Sequence, residues 1–243
     1  MRLSTLVIPH IAKTGGQTLR IHLDKQLGHN RGFIHLGPWG INENKKAEAP
    51  QWQERSLASR QQATAILGHY VYKDDILRHL PGSKIQFATC FRHPADRWLS
   101  EFNYKHANGY IDKDIKFWDF FYSHSNPNAQ LIHMYCHFLQ KPKADNNVML
   151  DSVLKELASF SYVATIEKYK LFSSWICGTL AIRDIEERHN VSGKDFKPVR
   201  RLTDGEHAKL TELCQPDMIL YQWANEWNAQ HRAMPPTSTT AKK

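Results

Sequence analysis

No apolar run in the 243-residue chain approaches the roughly 18 residues that a membrane-spanning helix needs. An integral helical membrane protein is thereby excluded. The amino terminus has one early arginine and an apolar stretch of only Leu6 to Ile8, too short for the core of a signal peptide. Cysteine is scarce: four residues, Cys90, Cys136, Cys177 and Cys214, with no Cys-x-x-Cys pair. That spacing argues against a zinc ribbon and against a disulfide framework, and a reducing cytoplasm is the expected location. Acid is also in short supply, with 24 Asp and Glu against 32 Lys and Arg, a formal charge of +8. Such a balance favours an anionic partner, whether nucleic acid, a membrane surface or a small polyanion, or else reflects an ordinary basic surface. Internal repeats and long low-complexity linkers are missing too. What is present is 41% hydrophobic residues and 11% aromatic residues, seven of them Trp, which excludes a disordered chain and provides for a sizeable core. One folded domain over 1–233 is expected, followed by a disordered Pro/Thr-rich tail over 234–243.

The order of patterns along the chain points to an α/β fold. Leu3–Ile8 (LSTLVI) reads as a strand, a loop with two glycines follows, and Leu19, Leu23 and Leu27 then recur at helical spacing. Residues 30–55, rich in Gly, Pro, Asn and Lys with Trp39 and Trp52 embedded, read as a long irregular loop. A helical pattern is expected to return over 57–67. Ile85–Phe91 reads as a second strand, and Pro94 stands where a helix should begin. In that helix Ala95, Leu99 and Phe102 share one face, while Arg97, Ser100 and Tyr104 share another. Tyr162–Ile166 is a third strand candidate leading into a helix over 169–182. Two more helices are expected near 204–214 and 218–228. Strands alternating with helices predict a central parallel sheet with helices on both faces.

The segment between the first strand and first helix, Pro9-His10-Ile11-Ala12-Lys13-Thr14-Gly15-Gly16-Gln17-Thr18-Leu19, carries the chemistry. Adjacent glycines allow positive φ and a close approach of a ligand to the backbone. The helix start offers unpaired amides and partial positive charge, Lys13 a full charge, and Thr14 and Thr18 hydroxyls. Together these form a cradle for phosphate or sulfate; a plain strand-to-helix turn with a solvated lysine is the alternative. It is not a Walker A loop, because Lys13 precedes Gly15 and Gly16 instead of following the last glycine.

His-Ile-Ala-Lys-Thr-Gly-Gly at 10–16 resembles the HIPKTGG opening of the family 2 sulfotransferases, which include the heparan sulfate 2-O-sulfotransferases, with Ala12 in place of Pro and Gln17 in place of Thr. The resemblance implies a P-loop-like three-layer fold and, as donor co-substrate, 3′-phosphoadenosine 5′-phosphosulfate (PAPS). A donor with a 3′-phosphate needs a second anion site. Arg92 stands at the end of a strand, its planar fork suits phosphate oxygens, and Ser100 adds a hydroxyl. Arg92, Pro94, Arg97 and Ser100 match the family's 3′-phosphate signature. Weaker echoes are Asn126 to Gln130, Tyr162 to Glu167, and Asp217 with Tyr221.

By this resemblance, Lys13, Thr14, Gly15, Gly16, Gln17 and Thr18 hold the 5′-phosphosulfate, with Lys13 catalytic, and Arg92 and Ser100 hold the 3′-phosphate. Gly68-His69 resembles the family's Gly-His, and His69 is the expected base, with Glu54, His35 and His106 as alternatives. Lys194, Arg200 or Arg201 would close over the donor, or form a solvated basic run. No metal is expected, since Lys and Arg supply the counter-charge. The expected acceptor is a small molecule or oligosaccharide with a free hydroxyl, not nucleic acid; the oligomeric state stays open. A nucleotide-dependent kinase built on the same cradle and a non-enzymatic polyanion binder are the competing readings.

Overall fold

A computed structural model describes residues 4–28, 32–37, 52, 55–80, 84–185 and 198–230. Trp39, Glu54, Lys194 and the 234–243 tail lie outside the described residues. In chain order the elements are β1 (Thr5–Pro9), α1 (Gly16–Leu27), β2 (Phe33–Leu36), α2 (Leu57–Gln62), β3 (Ala65–Gly68), α3 (Lys73–His79), β4 (Ile85–Phe91), α4 (Pro94–Ala107), α5 (Phe117–Tyr122) and α6 (Ala129–Ile132). A π-helical turn (His133–Phe138), α7 (Asn146–Leu157), β5 (Tyr162–Thr165), α8 (Tyr169–Leu180), α9 (Asp204–Leu213) and α10 (Gln215–Gln230) complete the fold.

The five strands form one sheet in the order β2-β3-β1-β4-β5, and every pairing is parallel. Strand residues alternate between two cores, as the two-residue period of a strand requires. Leu6 and Ile8, Ala65 and Leu67, and Ala88 and Cys90 face α1 and α8, where they meet Leu19, Leu23, Phe172 and Ile176. Val7, Ile66, Phe87 and Phe91 face the other way, onto Ile76, Met134, Phe138, Met149, Val153 and Leu220. This is the expected three-layer α/β arrangement. A third apolar cluster joins α4, α5 and α9 through Trp98, Phe102, Phe117, Phe120, Phe121 and Leu210. Truncating one of those aromatics to alanine would cost about 3–5 kcal/mol.

Two sequence expectations fail here. The helix over 57–67 ends at Gln62, and Ala65–Gly68 is an interior strand of the sheet, between β2 and β1. Four consecutive apolar residues buried on both faces carry no two-residue alternation, so periodicity does not separate them from a helix. The irregular loop over 30–55 contains β2, whose four residues are all buried. A third detail also differs: Arg97, placed by spacing on a face apart from the core, is 3% exposed. All four cysteines are free. Among the described residues no helix is long and apolar enough to cross a membrane.

Candidate anion-binding cleft and histidine cluster

The chain leaves β1 toward β2 on one side of the sheet and leaves β4 toward β5 on the other. The crevice at the carboxyl ends of β1 and β4 is therefore a topological switch point, where ligands of open α/β sheets are met. The Lys13 loop follows β1, and Arg92 follows β4. Lys13 and Gly15 hold φ of +72° and +86°, so the loop reverses through two left-handed residues, one of them costly for a residue with a side chain. Gly16 is required for another reason: a Cβ there would overlap the His10 ring. Gly15 caps α1 and brings no side chain of its own to the first-turn amides, as suits an anion site. From the start of α8, the Tyr169 hydroxyl donates to the Gly15 carbonyl at 3.0 Å. The Thr14 hydroxyl donates its one proton to the Ile11 carbonyl at 2.8 Å, which closes the turn and leaves the amide as its route to a ligand. Thr18 is buried in the first turn of α1, and Gln17 is exposed.

Arg92 is pinned through its backbone. Its amide donates to Gln130 Oε1 at 2.9 Å, and its carbonyl accepts from Gln130 Nε2 at 2.8 Å. Gln130 is held in turn by the buried Asp217, whose carboxylate accepts the amides of Gln130 and Leu131 at 3.1 and 2.8 Å. The Arg92 guanidinium donates from Nη1 to the Lys13 carbonyl at 3.2 Å, and its buried Nε has no partner. Lys13, Arg92, Ser100 and Tyr104 share the walls of one cleft of about 200 Å³, with Asp96, Leu99 and Asn103. Lys13 Nζ lies 3.8 Å from the Tyr104 ring centroid, a cation–π contact. Burial pushes the Lys13 ammonium down to about 8; Glu101 opposes the shift, while Arg92 and Arg97 add to it. The cleft is smaller than the roughly 300–1,000 Å³ of a whole small-molecule site. Its size and its two cations, Lys13 and Arg92, suit small anionic groups such as phosphate or sulfate.

A second cleft of about 370 Å³ opens on Ile11 and Ala12 of the same loop. Arg97, Glu101 and Lys105 of α4 line it, together with His124, Ser125, Asn126, His133 and His137. Glu101 bridges Arg97 at 2.8 Å and Lys105 at 3.1 Å. Burial acts to raise the Glu101 carboxyl, but the two cations outweigh it and hold the group below its ordinary value.

His69 lies one ring behind this cleft and is not part of either cleft's wall. Its Nδ1 is 2.7 Å from the His10 carbonyl. A carbonyl only accepts, so Nδ1 carries the proton and Nε2 the lone pair. Ring centroids run from His10 to His69 at 4.7 Å, to His133 at 6.1 Å and to His137 at 5.6 Å, ending in the second cleft. Burial lowers His10, His69 and His133, the last to about 3, and the neighbouring imidazoles add to the shift in His10 and His133. These rings are neutral at neutral pH.

The other expected residues lie elsewhere. His35 is buried in β2. His106 reaches the Lys113 carbonyl at 3.0 Å on the exposed end of α4. The Arg200 guanidinium pairs with Glu206, while its backbone exchanges two hydrogen bonds with Asn103 of the first cleft. Arg201 is exposed. Sequence reasoning missed Tyr169, His10, His133 and His137 as parts of the site. The four-residue spacing of His133 and His137 was visible; their convergence on His69, sixty-odd residues away, was not.

The fold has a solved counterpart. A crystal structure of a sulfotransferase from Alicyclobacillus acidocaldarius aligns with a TM-score of 0.50 over 97% of this chain and 98% of that one, at 12% identity. At that identity the likeness establishes the shared α/β fold. No protein-family model matches the chain, and no curated protein matches it in sequence.

Proposed function

We propose that the protein is a PAPS-dependent sulfotransferase acting on a hydroxyl acceptor of carbohydrate type, in a reducing, cytoplasmic compartment. The observation that carries this reading is that Lys13 and Arg92, from separate strand ends, converge on one cleft with Ser100 and are joined by the Arg92 to Lys13 carbonyl hydrogen bond. A likeness in fold to a protein described as a sulfotransferase supports it.

In this reading the amides at the start of α1 hold the 5′-phosphate, and Lys13 balances charge on the oxygen that bridges sulfur and phosphorus. Arg92 and Ser100 hold the 3′-phosphate. The second cleft, on the other side of the Lys13 loop, receives the acceptor among Ser125, Asn126, His133 and His137. The sulfur–oxygen bond to the donor breaks as one forms to the acceptor oxygen, and the acceptor's proton passes to the neutral histidine cluster. There His69 presents its Nε2 lone pair behind His133. Positioning and fixed charge supply the rate enhancement, as in phosphoryl transfer.

Thermal unfolding with adenosine 3′,5′-bisphosphate and with 5′-AMP tests the donor site. A ligand at about 100 times its Kd adds about 2.7 kcal/mol to the folded state. The bisphosphate should raise the melting temperature well beyond 5′-AMP; equal shifts would refute the Arg92–Ser100 site. Label should pass to an oligosaccharide from PAPS and not from the γ-phosphate of ATP. The reverse result would make the protein a kinase.

A further inference from the structure

We propose that His93, Asp96 and His207 form a binding site for a divalent transition-metal ion of the zinc, cobalt or nickel class. This goes beyond the sulfuryl-transfer reading, which calls for no metal. His93 immediately precedes α4, and Asp96, three residues on, falls on the same face; His207 comes from the first turns of α9, which packs against α4. One ligand atom from each side chain lies within 4.8 Å of the others, and His207 Nε2 is 3.7 Å from Asp96 Oδ1. Ligand atoms around a zinc-class ion, with bonds of about 2.0–2.2 Å, sit about 3–3.5 Å apart. Small side-chain rotations close that gap.

The two imidazole rings stack, with centroids 4.5 Å apart and planes at 23°. A bound metal lies in the plane of each ligating ring, so both imidazoles reach one ion once the half-exposed His207 ring turns. Among the described residues, no hydrogen bond engages any of these three side chains. The buried Nδ1 of His93 has no partner at all. Tyr221 packs its ring edge-on against His93 at 5.3 Å and fixes the ring. Each of the three residues is half-buried, so an ion can reach them.

Charge does not select the cation here: two helix starts and Arg92 lie close by, against the carboxylates of Asp96 and Glu167. Selection therefore rests on imidazole lone pairs, which suit transition metals rather than magnesium or calcium. The His10–His69–His133–His137 chain is not a competitor, because among the described residues only the His93 group brings three such atoms this close together. Asp96 also lines the Lys13–Arg92 cleft, which puts the ion beside the donor site.

Titration of the tag-free protein with Co²⁺, followed by visible absorption, tests the site without any donor or turnover. One equivalent should saturate a ligand-field band, and Zn²⁺ should bleach it. Loss of even an outer-shell partner weakens metal sites by about 10–100-fold, so His207→Ala and Asp96→Asn should weaken binding at least about tenfold. His137→Ala should bind as the parent does, and circular dichroism checks that each variant is folded. A missing band, or a folded His207→Ala that titrates like the parent, overturns the proposal. Neither result bears on PAPS, so this site and the donor site stand or fall separately.

Discussion

Lys13 combines a strained backbone with a charge that burial makes easier to lose. A left-handed conformation in a residue with a side chain costs on the order of 1–3 kcal/mol, and the loop keeps it because it aims the ammonium across Tyr104 into the cleft. With its ammonium lowered to about 8, Lys13 is charged at pH 7 and neutral by pH 10. The plot of kcat/KM against pH should therefore bend near 8 and fall about tenfold per unit above it, since that ratio reports the free enzyme. A profile flat to pH 10 would remove Lys13 from charge balance. At this scale much was legible: a lysine before twin glycines and an arginine at a strand end are local patterns. The hold on Arg92 was not, because Gln130 and Asp217 act through contacts 38 and 87 residues apart in sequence.

The elements around the cleft are fitted to one another, and one tight fit lies inside the β1–α1 loop, where Gly16 meets the His10 ring. Gly16→Ala should displace either the ring or the loop, costing about 1–3 kcal/mol as an overpacked site does, and it should abolish stabilisation by adenosine 3′,5′-bisphosphate. His10→Ala in the same chain removes the obstacle and should restore part of both. Urea unfolding and thermal shift measure the pair, and no recovery in the double variant would show that the ring is not what excludes the side chain. The strand β4 and the start of α4 could be read directly, because a β-branched and aromatic run followed by Pro94 is unambiguous. The strands β2 and β3 could not: each is four residues long and buried throughout, and the one polar residue, His35 of β2, is buried like its neighbours, so no exposed face reveals the period. The π-helical turn that carries His133 and His137 has no sequence signature of its own, although such turns recur at functional sites.

For the molecule as a whole, imidazoles that are buried or, like His93, half-buried set the response to acid. His10, His69, His93 and His133 all lie below 6.5 in the folded protein. As pH falls through about 6.5 the unfolded chain takes up protons that the native state refuses, so stability drops by up to about 1.4 kcal/mol per imidazole per unit of pH. Asp217 works in the opposite sense. Burial raises it to about 6 against two backbone hydrogen bonds, so the native state binds its proton first and gains stability as pH falls toward 3.8. Four imidazoles against one carboxyl give a net loss. The melting temperature should fall steadily from pH 7.5 to 5, and His133→Asn should flatten that slope. A melting temperature that does not change over this range would contradict the burial of the cluster. The sequence by itself determined the α/β class, the lysine ahead of twin glycines after the first strand, and the arginine at the end of β4, because each rests on neighbours within one turn or one strand. Only the tertiary structure decided that both anchors share a cleft, that His69 stands behind His133, and that His207 meets His93 and Asp96. Those are distances between segments far apart along the chain, and packing of the sheet and its helices sets them.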